Sequence, residues 1–210
     1  MASLPAVATW ISFYLEIFPF FLYPVAKVAL FLLPFAVWRL RGQSWRTGVA
    51  RMDLQPPGWR GLLSGALLSL VILGAYLFLQ ADLDGAGIRR KLLSLGILDA
   101  YWRLSFFILV VNAAFEEWYW RGFLLDELRN RVKHPPLIIG LGGLFFGFHH
   151  YFTLRPYFPL DLTLLFTWAT MVAGGIWSWH RLRGWSLTDC YVSHFCVDLT
   201  VLALGAILVF

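Results

Sequence analysis

The chain has 210 residues, of which 60% are hydrophobic and only 14% charged, where soluble domains carry roughly 25% charged residues. That balance, with a mean hydropathy of +0.69, excludes a soluble domain and describes a single integral membrane domain over residues 1–210, with no room for a separate soluble one. The net charge of +5 does not point to nucleic acid, because the Arg and Lys residues sit between apolar segments, where they set membrane orientation.

A bilayer core of about 30 Å takes about 20 apolar residues per helix. Six such segments are predicted, so the fold class is an all-α, polytopic transmembrane bundle. The first lies within Trp10 to Trp38; it is over-long and contains Pro19 and Pro24, so a bend or an interfacial start is expected. Glu16 and Lys27, the ionisable residues of this stretch, read as structural or interfacial. The second segment is Leu62 to Gln80. Between 85 and 102, Ile88, Leu92, Leu93, Leu95 and Leu98 lie beside Arg89, Arg90 and Lys91, the pattern of an amphipathic helix lying on the membrane.

The third segment runs from Ser105 to Leu125 and carries Glu116, Glu117 and Arg121. Ionisable groups at membrane depth are costly, face the protein interior with a partner, and are functional candidates by default. Glu117 and Arg121 are four apart and can pair on one helix face. Glu116 points about 100° away, so the two carboxylates have different work: Glu117 holds Arg121 and Glu116 faces a cavity. A carboxylate shielded from water is a usable general base near neutral pH.

The fourth segment, Pro136 to Leu154, carries His149 and His150; on a facing helix they could orient a water, bind a metal or stabilise an oxyanion. The fifth is Leu160 to Trp179, with His180 at its end read as a solvated loop residue. The sixth, Cys190 to Phe210, places His194 and Asp198 four apart. Cys190 and Cys196 have neither metal nor redox spacing and read as small apolar residues. No basic stretch opens the chain, so no cleaved signal peptide is expected. The odd-numbered loops hold ten basic residues (Arg39, Arg41, Arg46, Arg51, Arg60, Arg129, Arg131, Lys133, Arg181, Arg183) and the even-numbered loops five. The positive-inside rule therefore puts the odd loops in the cytoplasm and both termini outside.

Taken singly, each polar pair has a bland reading as a brace or a helix–helix hydrogen bond. Together, three successive apolar segments with ionisable residues at comparable depth point to a site. The motifs Glu116-Glu117-Trp-Tyr-Trp-Arg121, Phe146-Gly-Phe-His-His150 and His194-Phe-Cys-Val-Asp198, in this order, resemble the CPBP family of intramembrane proteases, which includes the type II CAAX-prenyl endopeptidases. Its pattern is Glu-Glu-x-x-x-Arg, Phe-x-x-x-His, then His-x-x-x-Asn or Asp, and the resemblance covers roughly residues 105–200, the expected catalytic core.

The resemblance implies an active site recessed in the membrane and peptide-bond hydrolysis by a glutamic-type endopeptidase. Glu116 and a fourth-segment histidine would activate water, and His194 with Asp198 would support the oxyanion. Glu117 and Arg121 would complete the site, with Phe146 supporting it. Phe145 with His149 fits the second motif by pattern as well as Phe146 with His150; the Phe-Gly start favours His150. Asp198 stands where prenyl-CAAX enzymes commonly have Asn, which bears on the substrate.

No cofactor is favoured; zinc, if present, would take Glu116, His150 and His194, although the His-Glu-x-x-His arrangement of zinc peptidases is absent. The expected substrate is a membrane-anchored protein or peptide tail. Short loops read as a prokaryotic inner membrane, where C-terminal sorting tails, signal peptides or peptide pheromones outrank prenylated CaaX proteins. Two rivals remain: a non-catalytic membrane protein of the same fold, in an immunity or scaffold role, and a proton-coupled transporter, for which the halves show no repeat symmetry.

Overall fold

The structure is a computed structural model that describes residues 5, 7, 10, 11, 19–50 and 52–210, without the side chains of 19–24 and 47. Glu16 lies outside this set. The described residues form eight helices and no strand: α1 (Pro19–Leu40), α2 (Trp45–Ala50), α3 (Trp59–Leu79), α4 (Gly85–Ser94), α5 (Leu98–Arg131), α6 (Pro135–Leu154), α7 (Leu160–Leu182) and α8 (Leu187–Val209). Five of them (α3 continued to Asp82, α5, α6, α7 and α8) are long and apolar enough to cross a membrane. With 22 residues, α1 is about 33 Å long at 1.5 Å per residue. The protein is an all-helical integral membrane bundle.

α5 is longer than the segment expected from Ser105 to Leu125, because its polar ends continue the helix to 34 residues. It is not regular. Two π-helical turns, Ile108–Asn112 and Trp118–Leu124, bracket a short α-helical stretch, Ala113–Glu117. π-turns are rare and concentrate at functional sites. All seven residues of the second π-turn are buried, since α1, α6, α7 and α8 pack around it.

α1 meets α5 through an aromatic layer. Phe35 stacks on Trp118 at 5.1 Å, and Phe31 stacks on Phe115 at 4.7 Å. Trp118 Nε1 donates to the Phe31 carbonyl at 3.2 Å. α6 and α7 pack most closely, and Gly143 permits it: a Cβ there would clash with the Met171 carbonyl and lie 2.9 Å from Gly175 N. Close backbone approach through small residues is how helices associate where lipid removes the hydrophobic drive. α3 rests on α8 in the same way, with a Cβ at Gly61 falling 2.6 Å from the Asp189 carbonyl. Ser186 caps α8, its Oγ accepting from Asp189 N at 3.0 Å, and Asp189 Oδ1 accepts from Gly58 N at 2.8 Å, which ties the start of α3 to that cap.

The amphipathic stretch expected over 85–102 divides. α4 ends at Ser94, Gly96 takes a left-handed φ of 66° that turns the chain, and residues 98–102 open α5. Arg89 of α4 reaches the C-terminus of α8, donating from Nε to the Val209 carbonyl at 3.0 Å, where the helix end carries unsatisfied carbonyls and partial negative charge. His180 is no solvated loop residue. It is 3% exposed and stacks on Trp185 at 3.8 Å, because Gly184 turns the chain back over the end of α7.

Candidate active site

The middle of α5 presents Glu116 and Glu117 to opposite partners. Glu117 is 1% exposed, and its Oε1 accepts from Arg121 NH1 at 3.0 Å and faces His194 Nδ1 at 2.9 Å. Arg121, equally buried, also donates from NH2 to the Gly174 carbonyl at 3.3 Å. Its guanidinium lies 4.2 Å from the Phe146 ring centre and 5.0 Å from that of Trp177. A desolvated cation over two ring faces is attracted by both. The expected Glu117–Arg121 pair is thus present, and it joins α5 to α6, α7 and α8.

Glu116, 5% exposed, turns toward histidines from two other helices. Its Oε1 lies 3.6 Å from His149 Nε2 on α6, and its Oε2 lies 3.9 Å from His194 Nε2 on α8. Both gaps exceed a direct hydrogen bond and suit a bridging water. His194 stands among three carboxylates, with Glu117 at Nδ1 and Glu116 and Asp198 at Nε2; Asp198 Oδ1 is 3.5 Å away. Trp177 stacks on His194 at 4.4 Å and Trp120 on His149 at 5.7 Å, fixing both imidazole planes.

The two histidines of α6 divide differently from the sequence preference. The Phe-Gly start favours His150; the geometry brings His149, 4% exposed, to Glu116. His150, rotated by about 100°, is only partly buried and has its Nδ1 3.1 Å from the Phe146 carbonyl. Phe146 packs its ring against His149, His150 and His194, at 5.8, 5.1 and 5.6 Å.

Sequence reasoning missed Lys27. Read from sequence as structural or interfacial, it is 5% exposed on α1 and its Nζ donates to Glu116 Oε1, so it lies beside the candidate site and not at an interface. The available signal was a lone lysine within the apolar run Val25-Ala-Lys27-Val-Ala-Leu30. Trp120 and Trp177 were missed as well, since stacking on a histidine of another helix leaves no trace in spacing.

The donor set has the kind and number that zinc takes. Glu116, His149 and His150 each offer a ligand atom, all within 4.8 Å of one another, and three protein ligands with one open position characterise catalytic zinc. This trio has His149 where the expected set of Glu116, His150 and His194 has His194. Lys27 competes for the same carboxylate oxygen.

Residues 98–200 match the family model described as type II CAAX prenyl endopeptidase Rce1-like, over about half of the chain. No curated protein and no solved structure matches.

Proposed function

Through residues 98–200 this chain belongs to the CPBP/CAAX protease family, and from that premise we propose that it hydrolyses a peptide bond in a membrane-anchored protein or peptide tail, with Glu116 as general base. The observation that carries this reading is the Glu116 carboxylate, buried between His149 and His194 at 3.6 and 3.9 Å. Amide hydrolysis needs a base for the water and donors for the developing oxyanion, and these three side chains, brought together from α5, α6 and α8, can supply both.

Water held beside Glu116, against His149 and His194, gives its proton to Glu116 Oε2, and the oxygen adds to the scissile carbonyl carbon. His194, as an imidazolium, donates at both nitrogens: Nδ1 to Glu117 and Nε2 to the oxyanion. Asp198 orients that ring. When the tetrahedral intermediate collapses, the C–N bond breaks and the proton on Glu116 passes to the leaving amine. Glu117 and Arg121 hold the frame and do not touch the reacting atoms. Zinc held by Glu116, His149 and His150 would supply Lewis-acid chemistry; we favour the glutamate-based route, with Lys27 as the cation beside Glu116.

The short loops fit a prokaryotic inner membrane, and there the substrates are sorting tails, signal peptides or peptide pheromones rather than prenylated CaaX proteins. The test is cleavage by purified wild type and Glu116→Gln in liposomes, against membrane-anchored tails with and without a prenyl group. Cleavage by the wild type alone supports the reading and names the substrate class. Equal cleavage by both proteins overturns it.

A further inference from the structure

Among the described residues, α1 brings a buried cation to the site. α5 buries two carboxylates, Glu116 and Glu117, and Arg121 is committed to Glu117 at 3.0 Å. Among the described residues the buried Lys and Arg side chains are Lys27 and Arg121, and Lys27 is ion-paired with Glu116. On the reading that Glu116 is the base, we propose that Lys27 is its positioning counter-cation, so that α1, which lies outside the family-matched residues, supplies part of the active site.

The placement is built into the fold. Phe31, one turn beyond Lys27, stacks on Phe115, the neighbour of Glu116, at 4.7 Å. The Phe31 carbonyl is held by Trp118 Nε1 at 3.2 Å, and Phe35 stacks on Trp118 one turn later. These contacts set the register of α1 on α5 and bring the lysine of the preceding turn to the carboxylate. The ammonium occupies Oε1, the oxygen that also faces His149. Oε2, which faces His194 at 3.9 Å, is then the oxygen that takes the proton from water.

An ionised carboxylate taken out of water costs several kcal/mol without a partner. Lys27 offsets that cost while leaving one oxygen for chemistry. Arg121 does not do the same work for Glu116, because it is paired with Glu117, whose Oε1 also faces His194.

The experiment compares wild type, Lys27→Met, Lys27→Arg, Glu116→Gln and the double variant Lys27→Met/Glu116→Gln in detergent. Melting temperature is read for all of them. The first three are assayed for cleavage of two probes, a farnesylated CaaX peptide and an unprenylated single-span peptide. Lys27→Met should lower kcat about 100-fold while KM stays within about threefold, and Lys27→Arg should recover kcat to within about tenfold of wild type. The double variant should melt above the less stable single variant, since removing both charges leaves neither stranded. Wild-type kcat in Lys27→Met, or additive losses of stability in the double variant, would overturn the proposal. If the wild type cleaves neither peptide, the hydrolytic reading fails and the catalytic role of Lys27 with it; the stability cycle still decides whether the two residues act as a pair.

Discussion

Replacing Glu117 tests the frame of the site. Arg121 and Glu117 are each 1% exposed and meet at 3.0 Å. Two unit charges at that distance attract by about 5 kcal/mol at an effective dielectric near 20, and breaking a buried pair from one side costs about 3–5 kcal/mol because the other charge is stranded. Arg121 would keep the Gly174 carbonyl and the rings of Phe146 and Trp177, and glutamine keeps an acceptor, so Glu117→Gln should lie near the low end, about 3 kcal/mol. That is a large share of the roughly 5–15 kcal/mol that holds a typical protein folded. Arg121→Met should cost a similar amount, and the double variant Glu117→Gln/Arg121→Met far less than the sum, since it buries no charge. Denaturant unfolding in micelles, followed by tryptophan fluorescence, measures all three. His194 Nδ1 loses its charged acceptor in Glu117→Gln, so cleavage should fall as well. Single variants as stable as wild type, or a double variant whose loss equals the sum of the two, would refute the buried-pair reasoning.

The two histidines of α6 should separate kinetically. His149→Ala should lower kcat about 100-fold or more, because it faces Glu116, and His150→Ala less than about tenfold; the reverse order in equally folded samples would restore the register that the Phe-Gly start favours. Chelator treatment should leave cleavage unchanged, as expected of a glutamate base. Loss of activity on chelation, regained with added zinc, would instead assign Glu116, His149 and His150 as ligands.

The helical membrane class was legible because lipid leaves helices and closed barrels as the spanning options, and the apolar runs of α3, α6, α7 and α8 are each about one bilayer long. Glu117 with Arg121, and His194 with Asp198, were legible as pairs because four-residue spacing puts side chains on one helix face. Local spacing carries no information about which face of one helix meets which face of another. Only the tertiary structure decides that His149 brings its Nε2 to Glu116 while His150, beside it, sets its Nδ1 near the Phe146 carbonyl, that His180 lies under Trp185 instead of in a loop, and that α1 is seated through Phe31 and Phe35 so that Lys27 reaches Glu116 across 89 positions of sequence. Those choices are made by packing between helices far apart in the chain: glycine contacts and aromatic stacking set helix rotation, and the rotation determines which buried charge meets which.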